Sequence, residues 1–158
     1  MSNVFNAAEI IDMGIEKEKK RRDFYALVAK TFKDKEMKDL FSKLRDWEDT
    51  HITKFGQIRD SIEDMEITES YEGEFGAYIR SLVDDMLYDQ ISPAAFARNV
   101  KSQLSAIQYG IGFEKDAILF FNELLFYMPP AHADKVRLLV DEEKKHIIYL
   151  TDLKRKYI

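Results

Sequence analysis

The stretch from Asp34 to Ile62, DKEMKDLFSKLRDWEDTHITKFGQIRDSI, decides the reading of this chain. Met37, Leu40, Phe41, Leu44, Phe55, Ile58 and Ile62 recur at spacings of three and four, the pattern of a helix with one apolar face. Glu48 and His51 fall on that same face, where a carboxylate and an imidazole have no ordinary place. On a helix, residues three apart lie about 60° apart around the axis and roughly 4.5 Å apart along it, so both side chains can reach one metal ion. Thr31 to Asp34 reads as a turn, with Asp34 placed to cap the helix that follows.

One such pair is weak, because a Glu-x-x-His usually faces water. The chain holds a second, Glu143-Lys144-Lys145-His146, so the two pairs use two of its three histidines. This second pair interrupts the apolar stripe Val136, Leu139, Val140, Ile147, Leu150 and Leu153. Two more stripes are each broken by a lone glutamate. The first starts near Asn6, with Glu9 as its capping-box partner, and runs Ile11, Gly14, Glu18, Tyr25, Val28 and Phe32. The other spans about Gln103 to Tyr127 and runs Ile107, Gly110, Glu114, Ala117, Phe121 and Leu124. Pro129-Pro130 stops it, and Pro130 can open the fourth helix because a first-turn N–H needs no partner.

The spacing of these interruptions sets their heights. In an antiparallel hairpin, residues equidistant from the turn lie level. The midpoint of Glu18 and Glu48 is Lys33, inside the first turn, and that of Glu114 and Glu143 falls between Met128 and Pro129. Each hairpin therefore sets a lone Glu beside its Glu-x-x-His. Gly14 and Gly110 stand four residues before the lone Glu, and Phe24-Tyr25 matches Phe120-Phe121 after it, as if one hairpin were used twice. Four carboxylates and two imidazoles stranded among apolar neighbours would be costly unless paired. Two divalent cations neutralise the carboxylates, and neutral imidazoles complete the shell.

The rest of the sequence narrows the field. A length of 158 residues suits one domain, here residues 1–158 as a hairpin at 6–64, a crossover at 65–102 and a hairpin at 103–157. The crossover begins acidic, from Glu63 to Glu74, and its apolar spacing predicts a short helix over about 74–89 that Pro93 brings to an end. The chain has no Cys, which excludes disulfides and thiolate metal sites. A net charge of −5 argues against nucleic acid or an anionic membrane as partner. No apolar run nears the roughly 18–20 residues of a membrane span, and no signal-peptide pattern opens the chain. A cytoplasmic protein is the expectation. The basic run from Lys17 to Arg22 disperses around a helix, His132 reads as a surface residue, and the aromatics Phe120, Phe121, Phe126 and Tyr127 read as core or dimer contacts.

One Glu on each of two helices, with Glu-x-x-His on each of the other two, resembles the ferritin-like di-iron carboxylate bundles. The Glu18-x6-Tyr25 spacing and Glu114-Lys-Asp-Ala-Ile-Leu-Phe-Phe look most like the rubrerythrin branch. The resemblance implies an all-α, antiparallel four-helix bundle with one long crossover containing a short extra helix. It implies that Glu48 and Glu143 bridge two irons, with Glu18 and His51, and Glu114 and His146, completing the ends and the choice of iron for each histidine left open. Zinc or manganese is an alternative to iron. Tyr25 is then either a hydrogen-bond donor to a ligand carboxylate or a core aromatic satisfied elsewhere. Two departures stand out: rubrerythrins proper carry a four-cysteine iron domain, and their third helix has an extra ligand Glu where this chain has Ala117. Arg21 and Arg22 flank the Glu18 stripe; pairing of one with a ligand carboxylate is the alternative, and solvated side chains are the favoured expectation.

By that resemblance the chain is an oxidoreductase of oxidative-stress type. It would reduce hydrogen peroxide or dioxygen with electrons from a separate, rubredoxin-like donor, as a homodimer. A ferroxidase or iron-handling protein without sustained turnover is the second reading, and a metal-stabilised interaction module the third.

Overall fold

The computed structural model describes residues 7–62, 74–83, 91–126 and 128–158. Among the described residues six helices follow in order: α1 (Ala7–Thr31), α2 (Lys35–Ser61), α3 (Glu74–Val83), α4 (Pro93–Asn99), α5 (Gln103–Leu125) and α6 (Pro130–Lys154). Among the described residues there is no strand, and no helix is long and apolar enough to cross a membrane. The hairpins α1/α2 and α5/α6 pack side by side, with α1 against α5 and α2 against α6. Every neighbouring pair in this ring of four runs antiparallel.

The apolar stripes face inward and form two clusters, one towards each end of the bundle. One gathers Ile10, Ile11, Phe55, Phe121 and Val136, the other Tyr25, Phe41, Leu44, Phe113 and Leu150. Glu18, Glu48, Glu114 and Glu143 lie at the level between them, so a polar layer divides the core at mid-height. Phe32, Leu40 and Ile147 from the same stripes are only half-buried, being at their margins.

The crossover must travel from the end of α2 to the start of α5, at the opposite end of the bundle. Ile79 on α3 joins the first cluster, while Ile91, Phe96 and Val100 join the second. α3 packs on α1 and α5, and Lys17 Nζ of α1 donates to the Leu82 carbonyl at 2.5 Å and to Asp116 on α5. Phe96 of α4 packs on Phe24 of α1, ring centroids 5.9 Å apart. The crossover thus covers the α1/α5 side of the bundle.

Three local readings change. Pro93 opens a helix rather than only ending one: it is the first residue of α4, whose N-cap Ser92 accepts a hydrogen bond from the Ala95 N–H. The helix expected over 74–89 is seen as α3, with 84–90 outside the described residues. Asp34 sits at the N-cap of α2 but makes no side-chain capping bond; its carboxylate accepts instead from Gln103 Nε2 at 3.0 Å and Tyr157 Oη at 3.4 Å. At α5 the cap is Ser102, in a reciprocal pair with Ser105. The Asn6 cap, the acidic start of the crossover and Tyr127 lie outside the described residues.

Candidate metal centre

All six residues singled out by spacing are buried and meet at the mid-height layer. Glu18, Glu48, His51 and Glu143 present ligand atoms within 4.8 Å of one another, and so do Glu48, Glu114, Glu143 and His146. Glu48 and Glu143 belong to both groups, while His51 lies with Glu18 and His146 with Glu114.

The two shared carboxylates divide their oxygens between the sides. Glu143 Oε1 lies 2.7 Å from His51 Nδ1, and its Oε2 lies 3.0 Å from His146 Nδ1. Glu48 Oε2 lies 3.5 Å from His51 Nδ1, and its Oε1 lies 3.5 Å from His146 Nδ1. Yet both oxygens of Glu48 and of Glu143, one of Glu18, one of Glu114 and Nδ1 of His51 make no hydrogen bond. Buried polar atoms are nearly always satisfied. Atoms that converge without bonding one another are arranged like ligands around common points, and two divalent cations fit this donor set of four carboxylates and two imidazoles.

The charges tell the same story. Burial first, then the neighbouring carboxylates, push Glu18 and Glu114 well above the usual carboxylate range, with Arg21 opposing the rise at Glu18. Burial also acts to raise Glu48, but the Glu18 carboxyl, Arg21 and both imidazoles outweigh it and hold Glu48 low. Glu143, buried and beside Glu48, is nonetheless brought down to about 2 by Glu114 and the imidazoles. Desolvation disfavours charge on the imidazoles, but the surrounding carboxylates raise both, His146 to about 12. Protons here do the balancing that cations can do.

The surroundings are unequal. Tyr25, buried, donates its hydroxyl to Glu114 Oε1 at 2.7 Å, and burial plus the Glu114 charge raise its pKa, keeping the proton on oxygen. Arg21 corrects the solvated reading: it is fully buried, hydrogen-bonds Glu18 and lies 3.8 Å from Glu48. Arg22 stays part-exposed and bridges to Asp23 and to Asp49 of α2. Glu142, which sequence reasoning passed over, accepts a hydrogen bond from His51 Nε2 at 2.7 Å and so fixes the ring with Nδ1 inward. On the other histidine the outer partner is Trp47, stacked on His146 with centroids 5.0 Å apart.

A cleft of about 330 Å³ opens between α2 and α6, lined by Trp47, His51, Lys54, Glu142, His146 and Tyr149 among others. It leads to the imidazole side of the cluster, across the bundle from the described part of the crossover. Elsewhere, His132 is half-buried rather than a surface residue. Phe120 and Phe121 are core, while Phe126 is 82% exposed.

No family model matches the chain, and the search of curated proteins gives no match. Among solved structures it is similar to a crystal structure of a Thermotoga maritima protein, provisionally described as a ferritin-like diiron-carboxylate protein. The match has a TM-score of 0.74 and 22% identity over 98% of both chains. At that identity the likeness speaks to architecture. The fold is ferritin-like, and its polar layer can hold a pair of metal ions.

Proposed function

We propose that the protein holds two iron ions and reduces hydrogen peroxide or dioxygen with electrons from a separate one-electron donor protein. The observation that carries this reading is the division of Glu48 and Glu143, each offering one oxygen to either side of a fully buried pair of sites. A bound iron pair supplies two electrons close together, which suits a two-electron oxidant. Glu18 with His51 holds one side, and Glu114 with His146 the other. Arg21 offsets the negative charge of Glu18 and Glu48, and the Tyr25 hydroxyl fixes the orientation of Glu114 while retaining its proton. Glu142 holds the His51 ring in place. The two apolar clusters keep bulk water away above and below, and the α2/α6 cleft gives a small oxidant its approach. The chain works in this reading as a homodimer.

Ala117 favours a second reading. It is packed in the apolar cluster, so α5 offers no further carboxylate one turn beyond Glu114, and a symmetric six-ligand site suits iron oxidation without sustained turnover. Anaerobic loading with ferrous iron, followed by peroxide, separates the two. Two irons per chain, oxidised stoichiometrically and re-reduced over repeated cycles, is the expected result. A single oxidation followed by release or accumulation of iron supports the second reading instead. Slow, non-stoichiometric oxidation refutes both.

A further inference from the structure

Metal binding accounts for His51 and His146, and Trp47 packs at the edge of the second apolar cluster, but neither role accounts for the order in which the rings between α2 and α6 stack. Trp47 lies nearly parallel to His146 in an offset stack, centroids 5.0 Å apart and planes within 11°. His146 in turn stacks on His51 at 5.6 Å and 10°. On the outer side Trp47 meets Tyr149 at 5.7 Å, and Tyr149 is 42% exposed. Four rings therefore form a continuous column from the surface to both candidate metal positions.

The two hairpins are related residue by residue, and in that relation Trp47, just before Glu48, corresponds to Glu142, just before Glu143. Glu142 does what a carboxylate does for a metal-bound histidine: it holds His51 by a hydrogen bond. Trp47 covers His146 with a π-face instead. Tyr25 gives no comparable route outward, because it is fully buried among Phe24 and Phe41. The crossover covers the α1/α5 side, so a macromolecule too large for the cleft still meets Trp47 and Tyr149 at its rim.

We propose that Trp47 conducts single electrons from a docked one-electron reductant at the α2/α6 rim, through His146, to the metal pair. This rests on the di-iron reading above. In each transfer the reductant is oxidised by one electron and the pair gains one. Trp47 forms and breaks no bond and ends as it began, and two such transfers complete a two-electron reduction. Electronic coupling decays steeply with each gap between orbitals, and a stacked indole and imidazole leave little gap. Trp47 is a conducting and positioning residue, not one that touches substrate.

The test begins with metal content. Wild-type protein is loaded separately with zinc and with ferric iron, and failure to bind two ions of either would overturn the di-metal reading together with this one. Because Trp47 is the chain's single tryptophan, its excited-state lifetime needs no variant. It should be much shorter in the ferric form than in the zinc form, and equal lifetimes at two metals per chain overturn the proposal alone. Reduction of the ferric pair by photoreduced flavodoxin, a donor too large to enter the cleft, is then followed by stopped flow. W47L should slow it roughly tenfold or more, while W47F, which keeps a stacked ring, should stay within about threefold of wild type. A W47L protein with two irons and an unchanged rate also overturns the proposal.

Discussion

Glu48 and Glu143 belong to both groups of candidate ligands, whereas Glu18, His51, Glu114 and His146 each belong to one. Replacing either shared residue with Ala should therefore abolish binding of the pair, measured as metal per chain after gel filtration; two ions retained would defeat the assignment. Glu142→Ala removes the bond to His51 Nε2 and should weaken metal affinity about 10–100-fold, read by chelator competition, with the ligands themselves intact. All six clustered residues were legible from spacing, because each broke an apolar stripe. Glu142 was not, and Arg21 only as the less favoured alternative. Arg21 lies three residues after Glu18, on the same face, but the run Lys17–Arg22 hides one buried cation among exposed ones. Glu142 borders Glu143 on its own helix yet acts on a histidine of α2, a relation that appears only once the hairpins are docked.

Among the elements, the glycines at matched positions report how closely α1 and α5 approach. A Cβ at Gly14 would meet Phe120 Cε1 at 3.0 Å and Phe121 Cε1 at 3.1 Å, both rings of the packed core. Overpacking there costs about 1–3 kcal/mol, more than the roughly 1 kcal/mol that Ala gains over Gly in a helix. Gly14→Ala should thus lower stability to urea. Gly56→Ala, with nothing within 4 Å, should raise it by about 1 kcal/mol. The four long helices were readable from period and breakers, since their inward faces repeat over many turns. The crossover was less so. Seven-residue α4 is too short to show a period, and Pro93 reads equally well as a stop or a start until Ser92 is seen capping it.

For the whole molecule, the centre couples metal to protons. Glu18, Glu114 and both imidazoles are shifted towards their protonated forms, but ligation requires them deprotonated. Binding should therefore release protons, and affinity should fall as pH falls; calorimetric titrations in buffers of different ionisation enthalpy would count them. No proton release would contradict the electrostatic picture of the cluster. The polar layer between the two apolar clusters has a mechanical counterpart. Helical bundles generally fray from their tips, where contacts are fewest. Here each half of the core is well knit, and the seam across the waist holds charges in place of hydrocarbon. Stripped of ions, the bundle should behave as two stiff segments with a compliant waist. Amides near Glu18, Glu48, Glu114 and Glu143 should exchange with deuterium sooner than those beside Phe41 or Phe121, and loading the pair should reverse that order.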